Sequence, residues 1–250
     1  MDIRGKVALI TGGGTGLGRV IAQHLAREGM DIAIQYSRSQ QDALATVTLL
    51  QDMGVRACAI QAELHTDTLV DASQRMIEAV ASQFGRLDLL INNAGTTRGV
   101  PFAQIDALNV ADWDTVLNVN TKAPFFTVQA AVPLMRHQGG GQVINTASIA
   151  GIRAMGSSIA YAVSKAGMIH LTKCLAVALA PNIRVNAVAP GLLQTRWLAN
   201  FTDEQLHAVT QQAPLKKATD LEDTAAVYVL LAKNASMTGT VITVDAGVTL

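Results

Sequence analysis

Short apolar segments rich in β-branched residues alternate along this chain with longer segments of helical periodicity, and this alternation most constrains its fold. The apolar segments are continuous, a pattern typical of parallel strands covered on both faces. Parallel strands joined by right-handed helical crossovers form a doubly wound sheet. The predicted strands cover residues 6–10, 32–36, 55–60, 87–91, 142–146, 183–188 and 241–244, and the predicted helices cover residues 17–28, 41–52, 66–84, 112–137, 160–180 and 221–232.

The sequence therefore predicts an α/β fold, with a single doubly wound Rossmann-type domain over residues 1–250. Its parallel sheet has about seven strands with helices on both faces. Residues 191–219 have mixed polarity and no clear strand, and they follow the sixth predicted strand. An irregular insertion at the carboxyl edge of a sheet is expected to form a substrate lid, and a plain surface excursion is the alternative.

Composition narrows the possible partners and the compartment. The 19 basic and 19 acidic residues balance, which disfavours nucleic-acid binding and binding to membranes through basic patches. No uncharged apolar run reaches the ~18 residues of a membrane span, and the first residues do not form a signal segment.

Cys58 and Cys174 suit neither a disulfide framework nor a zinc site, and we expect two buried thiols. Reduced thiols and the lack of a signal segment indicate a cytoplasmic protein. The five histidines show no ligand spacing, so we expect no metal.

A glycine-rich turn, TGGGTGLG, follows the first predicted strand and leads into the first predicted helix. A helix N-terminus presents free N–H groups and the positive end of the helix dipole, which favour a pyrophosphate. The turn lacks the G-x-G-x-x-G spacing, and a tight connection without a ligand is the alternative. The residues expected to bind a dinucleotide here are Gly12, Thr15, Gly16, Leu17 and Gly18.

Tyr161 and Lys165 form the second candidate feature. Positions i and i+4 share a helix face, so both side chains project in the same direction. A free tyrosine has a pKa of about 10, and an adjacent ammonium is expected to lower the pKa of Tyr161. The phenol would then exchange a proton with a carbonyl or an alcohol. The alternative is an exposed pair on a solvated helix.

Taken in order, these motifs resemble those of the short-chain dehydrogenase/reductase family. The glycine turn fits the family's T-G-x-x-x-G-x-G cofactor motif, and residues 161–165 (YAVSK) fit its Y-x-x-x-K motif. Residues 92–95 (NNAG) match its NNAG segment, and residues 190–191 (PG), 238–239 (TG) and 244–245 (VD) complete the order. The resemblance runs from residue 11 to residue 245.

The resemblance implies hydride transfer between a nicotinamide and a substrate carbon, with four catalytic residues. Tyr161 moves the proton, and Lys165 tunes Tyr161 and holds the nicotinamide ribose. Ser148 precedes Tyr161 by thirteen residues, the separation the family shows, and hydrogen-bonds the substrate oxygen. Ser157 is a weaker alternative donor. Asn120 holds, through its main-chain carbonyl, a water linked to the lysine.

Pro124 gives an independent argument for Asn120. Proline has no N–H, so the helical hydrogen bond to the carbonyl of residue 120 cannot form, and this carbonyl is left for a water. The alternative is that Pro124 only kinks the predicted helix. Asn118 is a weaker candidate for the same role.

The predicted cofactor is NADP(H), with NAD as the alternative. An NAD-type site needs a carboxylate at the end of the second strand, and residues 32–41 contain no acid. Ser37 and Arg38 stand there instead, and Arg38 is expected to pair with a 2′-phosphate. Thr15 departs from relatives that prefer NADP, which often carry a basic residue there. Further cofactor contacts implied by the resemblance are Glu63, Leu64, Asn92, Ala94, Gly95, Tyr161, Lys165, Pro190, Gly191, Leu193 and Thr195.

Three substrate hypotheses remain open. A general ketone or aldehyde reductase leads, followed by a 3-oxoacyl carrier-protein reductase and by an NAD-dependent sugar or polyol dehydrogenase. A scaffold that binds cofactor without catalysis is disfavoured because Ser148, Tyr161 and Lys165 are all present. The predicted helices 112–137 and 160–180 are apolar on most faces. The family commonly pairs these helices and its C-terminal strands across two-fold axes, which implies a homotetramer.

Overall fold

One parallel sheet organises the part of the chain that this computed structural model describes, residues 2–64, 68–196 and 202–250. Its seven strands lie in the order β3-β2-β1-β4-β5-β6-β7. These strands are β1 (Val7–Thr11), β2 (Asp31–Tyr36), β3 (Ala57–Gln61), β4 (Leu89–Asn92), β5 (Gly141–Thr146), β6 (Ile183–Pro190) and β7 (Val241–Val244). The helices are α1 (Gly16–Arg27), α2 (Gln40–Asp52), α3 (Leu69–Phe84), α4 (Val110–Leu117), α5 (Ala123–His137), α6 (Ile159–Leu179), α7 (Asp203–Thr210) and α8 (Leu221–Lys233). The predicted doubly wound α/β fold is confirmed.

The central strand β1 shows why the apolar segments are continuous. All five of its residues are buried. Successive side chains point to opposite faces of the sheet, so Ala8 and Ile10 enter one core while Val7 and Leu9 enter the other. Helices α1, α2 and α8 cover the first core, and α3, α5 and α6 cover the second. A polar residue at any of these four positions would therefore be buried.

The predicted helix 112–137 is interrupted, which corrects the sequence prediction. It starts earlier, at Val110, where Asn109 and Asp112 form a reciprocal capping box. A π-helical turn at Asn118–Lys122 then separates α4 from α5. Pro124 is the second residue of α5, and because it has no N–H it cannot continue the i to i−4 ladder.

Two other predicted segments differ in detail from the structure. The predicted helix 66–84 begins in the described residues at Leu69, and residues 65–67 lie outside them. The segment 191–219 contains the helix α7 in addition to residues without regular secondary structure. Residues 197–201 of this segment lie outside the described residues. The helix was missed because its polar and apolar residues show no clear period.

Helix α6 is apolar enough, by length and composition alone, to cross a membrane. It has 21 residues, and the mean hydropathy of its most apolar window is 1.3. It packs against β6 and the π turn, and its buried face includes Ser164, Lys165 and Met168. It is therefore a core helix of the domain.

Both cysteines are free thiols, but they are not both buried as predicted. Cys58 is half-buried in β3, whereas Cys174 is exposed. Cys174 lies on the outer face of α6, opposite the side that packs on the sheet.

Candidate active site

The predicted site residues converge on one edge of the sheet. Parallel strands all end at the same edge, and β1, β2, β3, β4, β5 and β6 are each followed there by one or more of these residues. The chain winds outward from β1 to β3 and then crosses back to β4 on the other side of β1. In doubly wound sheets, ligands bind in the crevice beside such a switch point.

The glycine turn between β1 and α1 needs glycine for two separate reasons. Gly12 has φ +63°, in the left-handed region that glycine tolerates best. At Gly18 the reason is space, because a Cβ would lie 2.3 Å from the carbonyl oxygen of Gly12. The turn therefore folds closely onto the first turn of α1.

Side chains from neighbouring strands fix this turn. The amide of Gly12 donates to Gln35 Oε1 at 3.0 Å, and Gln35 Nε2 donates to the Ala62 carbonyl at 2.6 Å. Asn93 Nδ2 donates to the Thr11 carbonyl at 3.0 Å, and the Asn93 amide donates to Thr11 Oγ1 at 3.0 Å. Sequence reasoning missed Gln35 and Asn93 as supports. A polar residue inside the apolar run of β2 was the available signal for Gln35.

The N-terminus of α1 is suited to an anion. Thr15 is its N-cap but makes no side-chain capping hydrogen bond, and the first turn contains no acid. The first N–H groups of a helix lack intrahelical partners, so here they are left for another acceptor beside the positive end of the dipole. The predicted group Gly12, Thr15, Gly16, Leu17 and Gly18 thus fits the pyrophosphate of a dinucleotide.

Ser37 and Arg38 directly follow β2, as predicted. Arg38 is exposed, and within the described ranges its guanidinium takes part in no ion pair. Gln61 at the end of β3 donates to the Ser37 carbonyl at 3.2 Å. Glu63 and the buried Leu64 follow β3 beside it. The loop after β2 therefore presents an exposed guanidinium that is unpaired among the residues the structure describes.

The structure brings Ser148 and Tyr161 into direct contact. Ser148 lies two residues beyond β5, and its side chain is hydrogen-bonded to that of Tyr161. Ser158 caps α6 by accepting a hydrogen bond from the Tyr161 amide at 3.2 Å, which fixes where the helix starts. The alternative donor Ser157 is engaged elsewhere, since its hydroxyl is 2.6 Å from Thr97 Oγ1.

Lys165 is buried beneath Tyr161. Its side chain extends so that Nζ lies 5.7 Å from the centroid of the Tyr161 ring and donates to the Thr146 carbonyl at 2.8 Å. Burial lowers the pKa of Lys165 from 10.5 to about 8. The sequence did not predict that Thr146 binds Lys165, because every residue type has a main-chain carbonyl.

The expectation of a lowered Tyr161 pKa is wrong for this structure. Burial of the phenol raises its pKa, and the Ser148 hydrogen bond offsets only part of that increase. The Lys165 ammonium does not reverse it, since Nζ points to the Thr146 carbonyl and burial disfavours its own charge. At neutral pH, Tyr161 is therefore a protonated phenol.

Asn120 is fully buried in the π turn, and its side chain is saturated. Its Nδ2 donates to the Thr96 carbonyl at 2.9 Å and to Ser164 Oγ at 3.0 Å, and its Oδ1 accepts from the Thr96 amide at 2.8 Å. These bonds join the loop after β4 to α6. The Asn118 carbonyl accepts a hydrogen bond from the Ala123 amide. We therefore do not assign Asn118 the water-binding role that was predicted for the Asn120 carbonyl.

Asn92 braces the sheet. Its side chain is buried and donates to Asn145 Oδ1 at 2.9 Å, and Asn145 Nδ2 donates to Thr172 Oγ1 at 2.9 Å. This chain of polar groups links β4, β5 and α6. Ala94 and Gly95 follow β4 in the loop above it, with the Ala94 amide donating to Thr11 Oγ1 at 3.0 Å.

The segment after β6 lies close to the glycine turn. Pro190 is the last residue of β6, and the Gly191 amide donates to the Val244 carbonyl at 2.8 Å. Leu193 forms a parallel bridge with Thr219. The Thr195 methyl group would lie 3.5 Å from a Cβ on Gly16. Thr195, on the segment that follows Pro190, therefore lies beside the glycine turn.

Comparison with known proteins places the chain in one family. A family model described as enoyl-(acyl carrier protein) reductase matches residues 12–249. A Streptomyces violaceoruber protein named as a ketoacyl reductase of the granaticin polyketide synthase is 39% identical over 243 residues, covering 96% of this chain and 95% of that protein. The 3-oxoacyl-[acyl-carrier-protein] reductase FabG of Staphylococcus aureus is 38% identical over 245 residues and 97% of each chain.

A solved structure extends the match to the fold. The short chain dehydrogenase of Burkholderia cenocepacia, in complex with NADP, superposes with a TM-score of 0.91 at 34% identity over 100% of both chains. The chain therefore belongs to the short-chain dehydrogenase/reductase family and is an NAD(P)-dependent oxidoreductase that acts on alcohol and carbonyl groups.

Proposed function

We propose that this protein is an NADPH-dependent reductase of a ketone or an aldehyde. The observation that carries the proposal is the hydrogen-bonded pair of Ser148 and Tyr161, with the Lys165 amine buried behind it, at the sheet edge that also holds the glycine turn. The cofactor, when bound, supplies the hydride. The side chains must then hold the substrate oxygen and give it a proton.

The protonation state of Tyr161 favours reduction. A phenol with a raised pKa carries its proton at neutral pH, so it is ready to donate to a carbonyl oxygen as charge develops there. Ser148 donates a second hydrogen bond to the same oxygen. Lys165 and a water on the Asn120 carbonyl would return a proton to Tyr161 afterwards, because the π turn and Pro124 interrupt the helical ladder at that carbonyl.

Arg38 supports NADPH over NADH. It stands directly after β2, unpaired within the described chain, and a guanidinium forms strong charge-assisted hydrogen bonds to a phosphate. The Burkholderia cenocepacia structure was solved with NADP. The remaining contacts follow the sequence prediction, with Glu63 and Leu64 beside the adenine, and Leu193 and Thr195 beside the carboxamide.

The cofactor assignment is tested with Arg38→Asp. We expect the KM for NADPH to rise about tenfold or more while the KM for NADH changes little, since only NADPH carries the 2′-phosphate. Arg75→Asp is the matched control, because Arg75 is exposed on α3, away from the crevice. Equal effects of Arg38→Asp on both cofactors would refute the assignment.

The catalytic assignment is tested with Tyr161→Phe. Turnover should fall at least about a hundredfold while the Kd for NADPH stays nearly unchanged, because the variant loses only the hydroxyl that moves the proton. Ser148→Ala should also remove most activity. Ser157→Ala should retain it, because the Ser157 hydroxyl is paired with Thr97. Retained turnover in Tyr161→Phe would defeat the proposal.

A second candidate substrate is a 3-oxoacyl thioester carried by an acyl carrier protein. The names of two relatives favour it. The two candidates separate in one assay, in which NADPH oxidation is followed with simple ketones, with 3-oxoacyl thioesters of a small thiol and with the same acyl groups on a carrier protein. A kcat/KM at least about tenfold higher for the carrier-bound substrate would favour the second candidate. NAD reduction by sugars or polyols would instead support the third hypothesis.

We also propose that the protein is a cytoplasmic homotetramer. Two free thiols suit a reducing compartment. Apolar side chains exposed on α5, α6 and the C-terminus would be covered by neighbouring subunits, namely Phe125, Val163, Val177 and Leu250. Light scattering of the purified protein should give a tetramer, and a stable monomer would contradict this proposal.

Residues 191–219 are proposed as the substrate lid of the single domain.

A further inference from the structure

A tyrosine that the proposed mechanism does not use is buried against the floor of the site. Tyr228, on α8, is 0% exposed, and its hydroxyl lies 2.8 Å from Thr146 Oγ1. Thr146 is the last residue of β5, two positions before Ser148. Burial raises the pKa of Tyr228, so its phenol keeps its proton and can donate it to the threonine hydroxyl.

This contact reaches Thr146 from the face of the sheet opposite Lys165. The Thr146 side chain points to the same face as Ile144, into the core that α8 covers. Helix α6, which carries Lys165, lies on the other face. The Thr146 carbonyl accepts from Lys165 Nζ at 2.8 Å. Thr146 therefore links the Tyr228 hydroxyl on one face to the Lys165 amine on the other.

The end of β5 has a neighbouring strand on one side only. Strand β4 pairs with β5 as far as Asn92, which lies opposite Asn145. Strand β6 continues one position further and pairs with Thr146 at Val188. At Thr146 the sheet therefore holds the main chain from the β6 side, and the Tyr228 hydroxyl supplies a second anchor.

We propose that Tyr228 is a positioning residue for catalysis, which fixes Thr146 so that its carbonyl holds the Lys165 amine beneath Tyr161. This inference rests on the proposed function, in which Lys165 returns a proton to Tyr161. Without the Tyr228 hydroxyl, the end of β5 is less firmly held and Nζ loses a fixed acceptor. A carbonyl stabilises an ammonium more than a neutral amine, so Lys165 would then lose its proton more readily.

The substitution Tyr228→Phe tests this by removing only the hydroxyl. At saturating NADPH and ketone, kcat should fall about fivefold, the equivalent of one hydrogen bond. The KM for the ketone should change little, because Tyr228 lies in the core on the far face of the sheet.

The pH profile separates a positioning role from a merely structural one. In the unmodified protein, kcat should fall as Lys165 loses its proton near pH 8. Tyr161 is the titratable side chain that faces this amine, and burial raises its pKa, so it titrates at higher pH. In Tyr228→Phe the fall in kcat should lie about half a pH unit lower.

Two substitutions at Thr146 test the same link from its other end. Thr146→Val also removes the hydroxyl contact, so it should reproduce the effects of Tyr228→Phe. The double variant Thr146→Val/Tyr228→Phe should then lose no more activity than either single variant. Thr146→Ser keeps the hydroxyl and should recover most of the activity that Thr146→Val loses.

Ser73→Ala is the matched control for a lost buried hydroxyl. Ser73 Oγ lies 3.4 Å from Thr127 Oγ1, in a contact between α3 and α5. The control should lower the urea midpoint but leave kcat and its pH profile unchanged.

Three outcomes decide the inference. A lower urea midpoint in Tyr228→Phe with an unmodified kcat and pH profile would show a structural role only and overturn it. Additive losses in the double variant would also overturn it, because the two hydroxyls would then act independently. Full turnover in Lys165→Met would instead show that the proposed function assigns Lys165 wrongly.

Discussion

Replacing Lys165 with methionine is predicted to stabilise the folded protein at neutral pH while removing a proposed catalytic group. The lysine is 3% exposed, and burial lowers its pKa from 10.5 to about 8. At about 1.4 kcal/mol per pKa unit, enclosing the ammonium at pH 7 costs about 3 kcal/mol of folding free energy. Methionine is similar in length and uncharged, so the variant does not carry this cost.

The substitution also removes a favourable contact. The hydrogen bond from Nζ to the Thr146 carbonyl at 2.8 Å is lost. A buried hydrogen bond of this kind contributes about 1 kcal/mol net. We therefore expect Lys165→Met to be about 2 kcal/mol more stable than the unmodified protein at pH 7.

This advantage should disappear as the pH rises. The folded-state pKa of Lys165 lies below its unfolded value, so the unfolded chain binds more protons between about pH 8 and pH 10.5. The stability that Lys165 contributes rises across this window, by up to about 1.4 kcal/mol per pH unit, as the buried amine loses its charge. The methionine variant lacks this gain, so the two proteins should be about equally stable near pH 10.

Urea unfolding followed by tryptophan fluorescence at pH 7, 8, 9 and 10 tests the prediction. The difference between the two proteins at each pH isolates residue 165, because the other titrating groups are common to both. Lys173→Met is the matched control, an exposed lysine on the same helix, and it should change stability little at any pH. A less stable Lys165→Met at pH 7, or a difference that does not vary with pH, would refute the reasoning.

Two further substitutions test the framework of the site. Tyr228→Phe should lower the unfolding free energy by about 1–2 kcal/mol, because the buried Thr146 hydroxyl loses the partner that lies 2.8 Å away; an unchanged urea midpoint would contradict this. Gly18→Ala should cost about 1–3 kcal/mol and weaken NADPH binding, since its Cβ would meet the Gly12 carbonyl oxygen at 2.3 Å. Gly99→Ala, in open space, should change neither quantity in thermal unfolding and fluorescence titration.

The sheet was predictable because strands that are buried on both faces consist of continuous apolar residues. The predicted strand 32–36 corresponds to Asp31–Tyr36. The ends were less accurate, as in the strand predicted at 87–91, which the structure places at Leu89–Asn92. Leu87 is fully buried although it precedes the strand. Apolar residues mark burial, and burial extends beyond the hydrogen-bonded ladder.

The interruption between α4 and α5 was only partly predictable. Pro124 marked a gap in the hydrogen bonding, but the π turn before it adds one residue without changing the apolar character of the segment. A pattern of hydrophobic positions does not separate one long helix from two helices joined in this way.

Most residues of the candidate site were found because they follow a predicted strand, and Tyr161 and Lys165 because they share a helix face. Asn120 was found through the family resemblance and the missing N–H of Pro124. What escaped prediction depends on contacts between distant parts of the chain. The Thr146 carbonyl acts through the main chain, and Arg196 meets Asp42 across 154 positions. The raised pKa of Tyr161 follows from the exclusion of water by the surrounding fold, which residue spacing does not report.

The join between β1 and β4 has a consequence for how such an enzyme acquires new substrates. Helix α1 packs against α8 on one face of this join, and α3 packs against α5 on the other. Helices from the N-terminal and C-terminal halves of the chain therefore pack together on each face of the sheet at β1 and β4. If residues 191–219 form the proposed substrate lid, the sequence of this segment can change without disturbing the helices that hold β1 and β4, so a different substrate would not require a different sheet.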